Sequence, residues 1–257
     1  MLRTLDLARF SARYGVSDAQ ITRDHLVSHI LAALPGLSIP DLHFFGGTAL
    51  CRTVLEGERL SEDIDLLHAD YASALDDIAN RLPGALRREF PGVRFSPSGK
   101  EGQGRFVFLD AADVPAIKVY VGALHVERSS WEFTTDRVAL RYPDLDPYVE
   151  LSCPTTATFA AMKMEAYVDR HAPRDLFDLA GLARRGALDS KAEDQLRKAT
   201  GVGFVPEEFE RVPMKTDAAW ETELAHQVRA MTTAEACRAT VATALNKRRA
   251  DDPETPS

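Results

Sequence analysis

Asp65 stands between Ile64 and Leu66 in the stretch Arg59-Leu-Ser61-Glu-Asp63-Ile-Asp65-Leu-Leu67, and this restricts what the chain can become. The apolar residues mark a strand that is at least partly buried. A carboxylate inside such a strand is costly unless it is paired or bound to a metal. Asp63 lies two residues earlier. Side chains alternate along a strand with period two, so both carboxylates project from one face. Two hard oxygen donors on one face suit Mg²⁺, which takes few protein ligands and shares the rest with phosphate and water. Read alone, the pair is equally a polar strand end at the surface. A second Asp-x-Asp, Asp144 and Asp146, reads as a loop between Pro143 and Pro147.

Upstream, Leu42-His-Phe-Phe45 reads as a short strand that runs into Gly46-Gly47-Thr48. Two glycines at a strand end leave backbone N–H groups unshielded. With the Thr48 hydroxyl and the start of a helix over 49–55, they can cradle an anion. The plainer reading is a tight turn. Downstream, Lys163 shares a helical stripe with Phe159, Ala166 and Tyr167. A lysine there either snorkels to the rim or faces a pocket and meets phosphate. In Arg174-Asp175-Leu-Phe-Asp178-Leu, Asp175 falls in the first turn of a helix, where the macrodipole favours an acid, and Asp178 shares its face.

Coarse patterning gives an α+β chain: a mixed sheet within residues 1–150, then a helical part over 151–250 and a frayed tail at 251–257. Helices are expected over 17–34, 71–90, 155–170, 174–184, 189–199 and 217–248, and strands over 64–67, 105–109 and 117–124. Ser17 and Gln20 resemble a capping box for the first helix, which reads as amphipathic. His25 and His29 on it have metal-ligand spacing, but no third ligand stands nearby in sequence, so they read as a surface pair.

With 257 residues the chain can bury a real core, and a net charge of −8 gives no general attraction to nucleic acid. RNA contact would need a local basic patch, for which Arg87-Arg88, Arg184-Arg185 and Lys247-Arg248-Arg249 are the candidates. Cys51, Cys153 and Cys237 show no paired spacing and read as reduced residues. No apolar run approaches a membrane span of about 18 residues, and the first residues lack a signal-peptide pattern. A cytoplasmic protein is expected.

The order of these pieces is more specific than any one of them. Gly-Gly-Thr-Ala-Leu, then Arg-Leu-Ser-Glu-Asp-Ile-Asp-Leu, then a helical lysine, then Arg-Asp-Leu-Phe-Asp-Leu resembles the AbiEii/MenT-type nucleotidyltransferase toxins, within the DNA polymerase β-like superfamily. The resemblance covers about residues 20–185. It implies a polymerase β-like nucleotidyltransferase fold, with the helical part completing the active site. It also implies a Mg²⁺-dependent enzyme that moves NMP from an NTP to an acceptor hydroxyl, the 3′ end of tRNA, in a toxin–antitoxin or phage-defence system. Gly46, Gly47, Thr48 and Ser61 would contact the triphosphate, and Asp63 and Asp65 would hold Mg²⁺. Lys163 and Asp175 would act in the reaction, and Lys118 and Arg174 would contact the nucleotide. A cognate antitoxin is the implied protein partner. Acceptors other than tRNA, such as a small molecule or a protein side chain, stay open, as does a purely nucleotide- or partner-binding role.

One departure stands out. The superfamily often places a third carboxylate on a later strand, where this chain has Tyr120 in Ile117-Lys-Val-Tyr-Val121. Tyrosine does not replace a metal carboxylate at neutral pH. Either Asp110 or Glu127 serves instead, or two carboxylates suffice.

Overall fold

The computed structural model describes residues 2–98, 103–108, 116–124, 130–228 and 231–251. Asp110, Glu127 and residues 252–257 lie outside the described residues. The chain divides into two compact units. The first comprises Met1–His125, Thr134–Cys153 and Gln227–Arg229; the second comprises Val126–Phe133, Pro154–His226 and Ala230–Ser257.

The first unit begins with helices α1 (Thr4–Tyr14) and α2 (Asp18–Ala33) and a 3-10 turn at Leu34–Leu37. Strand β1 (His43–Phe45), helix α3 (Gly46–Arg52), strand β2 (Ile64–His68) and helix α4 (Tyr71–Leu86) follow. Then come β3 (Val93–Pro97), β4 (Gln103–Phe108), β5 (Ile117–Ala123), β6 (Phe133–Ala139) and β7 (Tyr148–Pro154). The strands form one mixed sheet in the order β3-β4-β5-β2-β1-β7-β6. At its centre β2 runs antiparallel to β1 and parallel to β5. Ile64, Leu66, Val119 and Val121 are buried. Asp65, Lys118 and Tyr120 alternate with them and occupy the other face.

Helix α2 differs from the expected amphipathic surface helix. Its N-cap matches the expectation, with Ser17 Oγ accepting from the Gln20 N–H at 3.3 Å. Its polar side, however, is buried as well. Asp24 is fully buried and is held by Arg52 at 2.8 Å, Arg141 at 3.0 Å and the Tyr142 hydroxyl at 3.0 Å. Burial would raise the Asp24 carboxyl, yet the two guanidinium groups hold it below the usual carboxylate range. Arg52 also donates to Ser28 Oγ and to the Ala139 carbonyl, so this cluster joins α2, α3 and the end of β6. A buried charge persists only when paired and hydrogen-bonded in this way. Nearby, α1 docks through Phe10, which meets the Tyr142 ring edge-on at 4.8 Å.

The second unit is helical: α5 (Thr156–Arg170), α6 (Pro173–Arg184), α7 (Ser190–Thr200), α8 (Pro206–Arg211), α9 (Asp217–Leu224) and α10 (Ala234–Asp251). α5 packs on α6 and α7, and α10 on α6 and α8. The stretch 217–248, expected as one helix, is two. Thr216 caps α9 by accepting from the Ala219 N–H, and Thr233 accepts from the Ala236 N–H at the start of α10. Threonine favours such caps over helix interiors, because its hydroxyl competes for backbone partners. All three cysteines are buried free thiols. No helix among the described residues is long and apolar enough to cross a membrane.

Candidate active site

The glycine turn and the paired aspartates converge in the first unit. In the sheet, Phe45 pairs with Asp65 across β1–β2, and Asp65 pairs with Tyr120 across β2–β5. Phe45 is the last residue of β1, so the chain turns into α3 directly beside Asp65. Gly46 makes that turn with φ of 76°, in the left-handed region where glycine carries no Cβ penalty. A Cβ at Gly46 would also overlap the Asp65 carboxylate oxygen. The carboxylate therefore lies directly against the glycine turn. Asp63 and Asp65 are both half-buried.

A Cβ at Gly47 would come within 2.6 Å of the Arg59 guanidinium. Arg59 is buried and donates to Gln227 Oε1 at 2.8 Å and to the Leu60 carbonyl at 3.1 Å. The structure thus adds a cation to the site beside the second glycine. Its sequence signal was its place two residues before Ser61 in the Arg-x-Ser-x-Asp-x-Asp run. Thr48 is buried, with its hydroxyl 2.9 Å from Ser61 Oγ and bonded to the Asp63 carbonyl. That contact ties α3 to the segment that carries the aspartates and sets the spacing between glycine turn and carboxylates. Lys118 is exposed, two residues before Tyr120 on the same face of β5. Tyr120 occupies the register position beside Asp65, where a third acid was expected, and its ring leans over Gly122, close enough to exclude a Cβ there.

A test of this geometry compares two glycines. Gly57 also has positive φ (84°), but nothing lies within 4 Å of its would-be Cβ. Gly57→Ala is expected to cost only the left-handed penalty of about 1–2 kcal/mol. Gly46→Ala is expected to cost clearly more, because the Asp65 carboxylate must also move. Urea unfolding of both variants measures the difference. Equal losses would show that Asp65 does not lie against the turn.

The second unit holds a separate ionic cluster. Lys163 on α5 is buried, with Nζ 3.0 Å from Asp175 Oδ1 and 2.6 Å from Asp178 Oδ2 on α6. Both aspartates are fully buried. Arg170 grips Asp175 with two bonds, Nε at 2.6 Å and Nη2 at 2.8 Å. Burial pushes the Asp175 carboxyl up, but Lys163 and Arg170 together hold it below the usual carboxylate range. Lys163 therefore does not snorkel to the rim; the two acids of α6 take its charge. Arg170 was absent from the sequence reading of this cluster. Arg174 is partly exposed and stands 3.7 Å from Glu223.

The histidine pair also differs from the expected surface pair. His25 is buried, and Asp144 reaches it from the turn between β6 and β7 at 2.8 Å. The carboxylate that meets the pair is distant only in sequence.

Comparison with known proteins extends this reading. The family described as nucleotidyl transferase AbiEii toxin, type IV toxin–antitoxin system, matches residues 30–247. No curated protein matches the sequence. Among solved structures, MenT4, a nucleotidyltransferase toxin from Mycobacterium tuberculosis H37Rv, is similar at 18% identity with a TM-score of 0.73. That match covers 95% of this chain and 89% of MenT4. A nucleotidyltransferase-titled structure from H. pylori is similar at 15% identity with a TM-score of 0.55, covering 94% of this chain and 99% of the other. These structures share the α+β fold, and the family match spans most of the chain. The protein therefore belongs to the AbiEii nucleotidyl transferase toxins of type IV toxin–antitoxin systems.

Proposed function

We propose that the protein moves a nucleoside monophosphate from an NTP to the 3′-terminal hydroxyl of tRNA, and that this modification blocks translation until a cognate antitoxin intervenes. The observation that carries the transfer chemistry is the Asp65 carboxylate against the Gly46 turn, with Asp63 just before the start of β2 and Arg59 beside Gly47. In the reaction the acceptor oxygen bonds to the α-phosphorus, the bond from that phosphorus to the β-phosphate bridge breaks, and pyrophosphate leaves. The acceptor proton passes to solvent or to a nearby carboxylate.

The donor set fits Mg²⁺: two half-buried carboxylates, hard oxygen donors that leave coordination positions for phosphate and water. When bound, the ion would polarise the α-phosphate and lower the pKa of the attacking hydroxyl. Asp63 and Asp65 would hold it. Gly46 and Gly47 let the main chain approach the triphosphate, because no side chain intervenes. Arg59 supplies positive charge beside that approach, and exposed Lys118 supplies more from the face that carries Asp65. Thr48 and Ser61 act by fixing the distance between the turn and the aspartates. Family resemblance extends the list to Lys163 and Asp175 as reaction groups and to Arg174 as a nucleotide contact.

The tRNA acceptor rests on the resemblance, and the net charge of −8 weighs against a broad RNA footprint. Purified protein incubated with each labelled NTP, Mg²⁺ and total tRNA is expected to label tRNA with one preferred nucleotide. Labelling of a protein or small molecule in a cell extract, with no labelled RNA under any NTP, would overturn the acceptor assignment while keeping the transferase.

A further inference from the structure

We propose that His25, His29 and Asp144, with Glu89, form a second cation site in the first unit, suited to Zn²⁺ or a similar first-row divalent ion and separate from the Asp63/Asp65 pair. Four groups from three distant segments place one ligand atom each within 4.8 Å of one another. The two histidines are one turn apart on α2, so their rings lie on one helical face. Asp144 Oδ2 is 2.8 Å from His25 Nε2 and 3.1 Å from His29 Nε2, and the two Nε2 atoms are 3.1 Å apart. Glu89, just beyond α4, adds a carboxylate whose Oε1 is buried.

A hydrogen bond from histidine to aspartate needs one imidazole. Here two imidazole nitrogens converge on the same carboxylate oxygen and on each other. Tetrahedral Zn²⁺ with bonds of about 2.0–2.1 Å has ligand atoms about 3.3 Å apart. The three separations found here are shorter by only a few tenths of an ångström, so a small opening admits an ion.

The surroundings fix the ligands in place. The His25 ring meets Tyr142 at 4.9 Å and Phe90 at 5.6 Å, and the His29 ring meets Phe90 at 5.2 Å. Tyr142 and Arg141 are themselves anchored on buried Asp24. The turn that delivers Asp144 is therefore held against α2 by bonds independent of the histidines. Nitrogen donors together with carboxylates favour zinc-like ions over Mg²⁺, which prefers oxygen. His29 and Asp144 are partly exposed, which provides an entry route and a position for water. A bound ion would brace α2, the β6–β7 turn and the segment after α4 against one another.

The test uses the whole chain, stripped with a chelator and titrated with Zn²⁺ against a chromophoric competitor. About one tightly bound equivalent is expected. His29→Ala and Asp144→Asn are partly exposed changes that spare the core, and each is expected to weaken binding about 100-fold. Asp63→Ala/Asp65→Ala is expected to keep the equivalent. Co²⁺ is expected to show the intense visible bands of a tetrahedral site in the wild type and to lose them in His29→Ala. Zinc binding that is the same in wild type and His29→Ala, or that disappears with the Asp63/Asp65 variant alone, overturns the proposal. So does a wild-type chain that takes up no zinc.

Discussion

Asp65→Asn is expected to lower nucleotidyl transfer about 10³-fold, close to 4 kcal/mol of transition-state stabilisation, and to leave the fold intact. The substitution keeps shape and volume and removes the charge. Asp65 is half-buried between Phe45 and Tyr120 in the sheet, and an amide fits that space. What it lacks is an anionic oxygen beside the Gly46 turn. Asp63→Asn is expected to have a similar effect. The double variant should be little worse than either single one, since residues that act as a unit are not additive. Tyr120 at the neighbouring register position sharpens the expectation. With a phenol where a third carboxylate often stands, the two aspartates have less support, and either loss should be nearly complete. The measurement is the initial rate with labelled NTP, beside circular dichroism and a thermal midpoint. A folded Asp65→Asn variant that transfers within about tenfold of wild type would remove Asp65 from the chemistry.

How far the sequence could be read followed from the range of the forces involved. Asp65 within an apolar strand and Gly46 at a strand end are local facts, set by a period of two and by one backbone dihedral, while Asp63 falls just before β2. The strand over 117–124 could be read from its apolar pattern, but the place of Tyr120 beside Asp65 was anticipated only through the family resemblance, since a strand's own pattern does not set its register against another. The burial of α2 was not legible. Its polar side looked solvent-facing because the groups that hold Asp24, the guanidinium groups of Arg52 and Arg141 and the Tyr142 hydroxyl, are up to 118 residues away. The histidines failed the same way, since Asp144 is 119 residues from His25. Helix α1, strands β3, β6 and β7, and the break between α9 and α10 carry weak periodic signals that packing decides. Lys163 was ambiguous until α6 brought Asp175 and Asp178 to it.

That lysine leads to the other large effect. Lys163→Met is expected to destabilise the helical unit by about 3–5 kcal/mol, because it leaves buried acids without their cation. Asp175 keeps its two bonds from Arg170, whereas the 2.6 Å ion pair from Lys163 to Asp178 is lost. Lys163→Met/Asp178→Leu is therefore expected to recover much of the loss, since apolar replacement of a buried pair is often near neutral. The pH dependence has a definite sign. In the wild type the Asp175 carboxyl lies below its unfolded value, so its contribution is full above about pH 3.9 and fades as pH falls through the folded value. In Lys163→Met, protonation relieves the uncompensated charge. The deficit relative to wild type should shrink from pH 7 towards pH 4. Urea unfolding across that range measures it, and a deficit that is constant or grows in acid would reject an electrostatic origin. The same variants separate two roles for Lys163. If the double variant regains stability and transfers nucleotide normally, the lysine is a structural tie between α5 and α6. If it folds and still fails to transfer, with KM for NTP raised or kcat lowered, Lys163 serves the reaction as the family resemblance implies.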